Sequence, residues 1–222
     1  CTFTDITKKP GIALGTLNAD TTIVICNSTF NNCQPGDQGL YIYESDTDVN
    51  SFTLTEKDNT VVVAAPTAED FANALKLNTE NIEVVLVADI DCPISSLGQQ
   101  TGGSGEYKLG GENTNYITID LNGKTFTVSE GASTNNRNFK VNGSSVVTIK
   151  NGTITSSTAQ MLVQNYSNLT LDGVVLDGAN LAGNMPYPLS NNCGNVAINN
   201  SNIIASANGV AFDVCDYATY TA

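Results

Sequence analysis

The sequence has no histidine and no tryptophan. Without histidine there is no Ser-His-Asp or Cys-His catalysis and none of the commonest zinc ligand. Zinc held on cysteines alone needs close C-x-x-C pairs. The six cysteines, Cys1, Cys26, Cys33, Cys92, Cys193 and Cys215, form none. Positive charge is also scarce. Nine Lys and Arg stand against 22 Asp and Glu, a net charge of −13, and Arg137 is the sole arginine. That balance argues against nucleic acid and anionic membrane as partners. No apolar run reaches the length of a membrane span, so no membrane insertion is expected. No signal peptide is visible, so a secreted form has had its signal removed. No cofactor is expected.

What the sequence does contain is alternation. Val146 to Ile154 reads V-V-T-I-K-N-G-T-I. Val147 and Ile149 alternate with polar residues, Asn151-Gly152 interrupts, and Ile154 resumes on the other parity. Period-2 alternation marks a half-buried strand. Asn and Gly tolerate a left-handed backbone, so the pair marks a bend. The unit recurs at Leu169, Leu171, Gly173 and Leu176, and at Val196, Ile198, Asn200 and Ile203. Ile119, Leu121, Gly123 and Phe126 fit it, as do Ile23, Ile25, Asn27 and Phe30. From Gly123 to Asn200 the bends recur roughly every 22 to 28 residues, the interval of one coil of a solenoid. The spacing predicts an all-β fold of stacked coils, with Asn27, Asn151 and Asn200 forming a ladder at the bends.

One stretch breaks the β pattern. Pro66-Thr67-Ala68-Glu69-Asp70 offers an N-cap threonine with acids in the first turn. Ala68, Phe71, Ala74 and Leu75 then fall on one apolar face. A short amphipathic helix near 67–77 is expected, capping the solenoid that follows. The chain thus divides into residues 1–64, terminal coils completing a neighbouring or preceding solenoid, and residues 65–222, the capping helix and its coils.

Joining the two ends on paper regenerates a coil. Ala218 and Tyr220 take inward positions, Ala222 takes the bend, and Cys1 and Phe3 begin the resumed strand. Residues 1–64 can serve a tandem repeat, a separate head-to-tail subunit, or a fold-back onto their own chain. The first two are favoured, because Thr60 to Ala65 reads as strand rather than as a strap. The six cysteines lean toward disulfides and an oxidising compartment. Cys193 precedes Asn200 by the interval that separates Cys215 from Ala222, so the two are expected to stack and pair. Neighbouring strands lie about 4.8 Å apart, within disulfide range. Cys1 also admits a second reading, as a lipidated first residue.

The coil pattern, the bend asparagines and phrases such as Ile119-Asp120-Leu121-Asn122-Gly123 resemble the right-handed parallel β-helix, or pectin-lyase-like, superfamily. The likeness is to solenoids of bacterial surface adhesins and phage fibres. It implies a right-handed parallel β-helix and says little of activity. Enzymes of that fold carry an arginine base or an aspartate cluster with calcium. Here Arg137 stands without a surrounding motif, and no catalytic residue is carried over.

Other constellations read as bland. Asp46-Thr47-Asp48-Val49-Asn50 has the oxygen spacing of a calcium loop but lacks the following glycine and the closing glutamate. Asp213 with Asp216, or Asp172 with Asp177, can be paired as glycosidase carboxylates. In an acidic chain such pairs arise on any face. The resulting expectation is a non-enzymatic structural protein, extracellular or on a cell or virion surface, whose partners are copies of itself stacked head to tail. Its rivals are a carbohydrate-active β-helix enzyme of tailspike or polysaccharide-degrading type, and an adhesin binding surface glycans on a lateral face.

Overall fold

The computed structural model describes residues 1–4, 12–14, 22–31, 41–43, 53–76, 81–93, 107–109, 116–129 and 137–215. Seven strands come first: β1 (Thr2–Thr4), β2 (Ile12–Leu14), β3 (Thr22–Cys26), β4 (Thr29–Asn31), β5 (Tyr41–Tyr43), β6 (Thr53–Lys57) and β7 (Thr60–Ala65). Helix α1 (Ala68–Leu75) follows. Then come β8 (Asn81–Leu86), β9 (Ile90–Cys92), β10 (Tyr107–Leu109), β11 (Tyr116–Asp120), β12 (Thr125–Val128), β13 (Arg137–Val141) and β14 (Val146–Ser156). The last are β15 (Met161–Asn165), β16 (Asn168–Asp177), β17 (Tyr187–Asn191), β18 (Asn195–Asn199), β19 (Asn202–Ile204) and β20 (Phe212–Val214). The protein is mostly β, its sheets are parallel, and it has one short helix.

Three parallel ladders carry most of the pairing. The first runs β1-β4-β7-β8-β11-β14-β16-β18. The second runs β9-β12-β14-β16-β19. β14 and β16 bend at Asn151 and Gly173 and so serve both. The third runs β10-β13-β15-β17-β20. Two shorter pairs, β2 with β5 and β3 with β6, accompany the early strands.

Alternation in sequence becomes alternation in burial. β8 places Ile82, Val84 and Leu86 inside and leaves Asn81, Glu83 and Val85 half-buried. Because partners are in register, each inward residue stands on the one before it. Phe30, Val61, Ile82, Ile117, Val147 and Leu169 form one such column, with exposures from 0% to 6%. Val84, Ile119, Ile149 and Leu171 form the next, each fully buried. A Leu or Ile wholly buried this way contributes about 1.5–3 kcal/mol.

Helix α1 starts as its residues dictate. Thr67 is extended and accepts the Asp70 amide at 3.2 Å, and its hydroxyl donates to the Asp70 carboxylate at 2.5 Å. Glu69 and Asp70 sit at the positive end of the helix dipole. Phe71, Ala72 and Ala74 face the core. The Phe71 ring lies 5.1 Å from Phe126 and 6.1 Å from Phe139, and those two are 5.2 Å apart. The strands on either side of α1 in the chain pair directly, from Thr60 opposite Asn81 to Ala65 opposite Leu86. The first ladder continues past β7 to β4 and β1. The first ladder thus takes in strands from both sides of the helix, with β1 at one end and β18 at the other.

Candidate functional site

Among the described residues the first ladder ends at β1 and at β18. β1 pairs only with β4, and β18 pairs only with β16, among the described residues. At the β1 end Phe3 stacks on Phe30, centroids 4.8 Å apart and planes within 9°. Thr2 opposes Thr29, Phe3 opposes Phe30, and the Thr29 amide donates to the Cys1 carbonyl at 2.9 Å. Thr2 and Phe3 thus lie directly opposite the Thr29-Phe30 of the next strand. Phe3 is only half-buried, and Cys1 is exposed.

At the β18 end the core is uncovered. Ile198 stands on Leu171, which is fully buried, yet Ile198 itself is 38% exposed. Val196 is half-buried on Leu169. On β20, the last strand of the third ladder, Phe212 and Val214 are 37% and 66% exposed. Val210 adds to this apolar surface. Leu171 and Leu189, the partners of Ile198 and Phe212 on the preceding strands, are fully buried, and no described strand covers Ile198 or Phe212.

The bend residues divide between two corners. Asn151 and Asn200, with φ of 59° and 49°, follow the first ladder, as do Asn122-Gly123 and Gly173. Their amides do not stack on one another. Asn151 Nδ2 donates to Asp120 Oδ1 at 3.2 Å, and Asn200 Nδ2 donates to Asp172 Oδ1 at 3.4 Å. Asn27, also left-handed at 49°, precedes the first ladder and stacks beside Asp58 at 54°. It shares the backbone conformation but not the corner.

The Cys193–Cys215 pair requires correction. Both are free thiols, as are Cys1 and Cys26. The third ladder sets Asn191 opposite Val214, so Asn192, not Cys193, comes beside Cys215. The slip of one residue separates the sulfurs. Cys215 Sγ instead donates to Asp213 Oδ2 at 3.2 Å, which with burial and the carboxylate's charge pushes the thiol pKa up. Cys33, Ala218, Tyr220 and Ala222 lie outside the described residues, as do Asp216, Tyr217 and residues 46–50.

The proposed carboxylate pair of β16 is split by its bend. Asp172 ends the first-ladder half, where it accepts Asn200, and Asp177 ends the second-ladder half, where it accepts the Ala179 amide at 3.1 Å. Among the described residues no group of three His, Cys, Asp or Glu is placed to hold a metal ion, and no helix is long and apolar enough to cross a membrane. Compared with family models, curated proteins and solved structures, the chain matches none.

Two polar assemblies were not anticipated. One is a buried amide pair. Asn165, fully buried, donates to Asn191 Oδ1 at 2.7 Å and lies 3.0 Å from the Asn195 carbonyl, while its own oxygen accepts the Ser167 amide at 3.1 Å. Asn191 Nδ2 passes on to the Gly194 carbonyl at 2.8 Å. The recurring Asn-x-Ser at Asn165-Tyr166-Ser167 and the matching Asn191 were the available signal. The other is the ion cluster of Lys150 with Glu83 at 2.8 Å and Asp120 at 3.4 Å. Only the register of three successive strands brings these together.

The Glu83 hydrogen bond, above all, raises the Lys150 pKa; burial opposes it, and the charges of Glu83 and Asp120 add to it. A raised lysine pKa stabilises the fold below the ordinary lysine value, and that contribution is lost as pH climbs through the raised value. Lys150→Met is expected to cost no more than about 1 kcal/mol, because both partners are partly solvated. In urea melts the gap to wild type should narrow in high salt and close in strongly alkaline buffer.

Proposed function

We propose that the chain is a unit of a right-handed parallel β-helix, and that it works as an extracellular structural protein stacking head to tail into a filament. The observation that carries this reading is the first ladder, eight parallel strands in register whose inward column is half-buried at Phe3 and Val196. Three ladders reached in turn by one chain are the pattern of a β-helix, and parallel crossovers are overwhelmingly right-handed. A strand edge is a template for another strand. The β18 edge and the β1 edge are different surfaces, so their contact is heterologous and does not close; it propagates. A surface location follows from the work, which is mechanical.

Negative-stain microscopy and size exclusion of the purified chain test this reading. Linear stacks growing with concentration are expected. Ile198→Asp puts a charge on the uncovered end, where the single unit can solvate it and a stack cannot. The unit should keep its circular dichroism, and association should weaken by roughly a hundredfold or more, about 3 kcal/mol. Discrete monomers at all concentrations, with cleavage or capture of a polysaccharide, would overturn the proposal.

A further inference from the structure

The sequence holds four Asn-Gly pairs: Asn122-Gly123, Asn142-Gly143, Asn151-Gly152 and Asn208-Gly209. Each carries an electrophile, the asparagine side-chain carbonyl carbon, beside a nucleophile, the next backbone nitrogen. Glycine has no Cβ to bar their approach. Whether a pair reacts depends on whether the fold leaves both groups free.

Three of the four are held. The Gly123 N–H donates to the Asn151 carbonyl at 2.6 Å, and Asn122 Nδ2 donates to the Leu86 carbonyl at 3.0 Å. The Gly209 N–H donates to the Ser206 carbonyl at 3.1 Å. Asn151 Nδ2 is bound to Asp120, and Gly152 lies within β14 opposite Val174. Its backbone is packed so closely that a Cβ there would stand 2.4 Å from Leu121 Cβ. Asn142-Gly143 differs. It opens the turn of residues 142–145 between β13 and β14, where the corresponding turn after β15 is only Tyr166-Ser167. Both residues are half-buried, and Gly143 is left-handed at φ 67°. Only the Asn142 backbone N–H is engaged, on the Leu109 carbonyl at 3.2 Å. Among the described residues, neither the Asn142 side chain nor the Gly143 N–H has a hydrogen-bond partner.

We infer that Asn142 is a self-modification site, where the folded chain converts its own asparagine to isoaspartate and aspartate. The Gly143 nitrogen gives its proton to solvent and bonds to the Asn142 side-chain carbonyl carbon. The bond from that carbon to Nδ2 breaks, and the nitrogen leaves as ammonia with a proton taken from water. Water then opens the cyclic imide at either carbonyl. The balance is one amide and one water giving one carboxyl group and one ammonia, with no oxidant. The new carboxylate stands two residues along the chain from Lys140, whose ammonium lies 4.9 Å from the Tyr166 ring centroid. The isoaspartate form also lengthens the turn by a backbone carbon.

The test is incubation of the purified full chain in mildly alkaline buffer, followed by proteolysis and mass spectrometry of the four Asn-Gly peptides over time. A parallel sample is kept unfolded in urea. In the folded chain Asn142 should convert first, by about tenfold over the other three, the effect of a single hydrogen bond on a barrier. In urea the four rates should draw together. Asn142→Gln should remove the early release of ammonia and leave the slow phase. Conversion at Asn142 no faster than at the other sites overturns the inference. So does an Asn142 lead that persists unchanged in urea, because local sequence and not the fold would then set it.

Discussion

Phe71→Ala should lower the unfolding free energy by about 3–5 kcal/mol, the range for emptying a buried aromatic site. Phe71 is fully buried and tilts against Phe126 and Phe139, which belong to the later strands β12 and β13. Its ring is thus the bolt between α1 and the ladders. The side-chain methyls of Ala72 and Ala74 are too small to hold the helix alone. For a chain this size each kcal/mol moves the melting point by roughly 2–4 °C, so a fall on the order of 10 °C is expected by calorimetry. Phe71→Leu, which keeps most of the volume, should recover more than half of the loss. Equal stability of Phe71→Ala and wild type would mean that the helix is not part of the cooperative core.

Asn165→Ala should cost about 3 kcal/mol, although it removes few atoms. The site is fully buried, and the Asn165 amide is hydrogen-bonded to the Asn191 side chain and the Asn195 carbonyl. Alanine leaves the Ser167 amide without this partner in a buried place, and the Asn191 and Asn195 acceptors without theirs in a partly buried one. Each orphaned buried group costs about 1–3 kcal/mol. Asn165→Asp separates hydrogen bonding from size. It keeps the shape, loses the donor, and adds a buried charge, so its carboxyl pKa is raised. A raised carboxyl pKa destabilises the fold above that value, and stability returns as pH falls through it. The aspartate variant should therefore melt below wild type at neutral pH and regain part of the gap in acid. A pH-independent gap would count against the amide's role as donor.

The legible part of the fold was its period. Val147, Ile149 and Ile154 alternate about a bend, and each is buried as the alternation requires. Thr67 and the acids after it announced a helix start, and α1 begins there. The phase was not legible. Ile23, Ile25, Asn27 and Phe30 match the unit at Val147 as written, yet β4 pairs into the first ladder and Asn27 turns the corner before it. More than one corner places a left-handed residue between two alternating strands, so one written pattern serves several corners. The same ambiguity misplaced Phe3 and set Cys215 one residue off Cys193.

The sequence by itself determined the local choices: alternating apolar residues make half-buried strands, Asn and Gly make corners, and Thr67 caps a helix. Those choices depend on a few neighbouring residues and leave their mark on them. Only the tertiary structure decided which strand pairs with which, that Lys150 reaches Glu83 across two strands, that Asn165 meets Asn191, and that Cys193 is left exposed at the edge. Those are matters of register. In loops of variable length register is set by the summed fit of all stacked side chains, and a shift of one residue reverses every side chain's face.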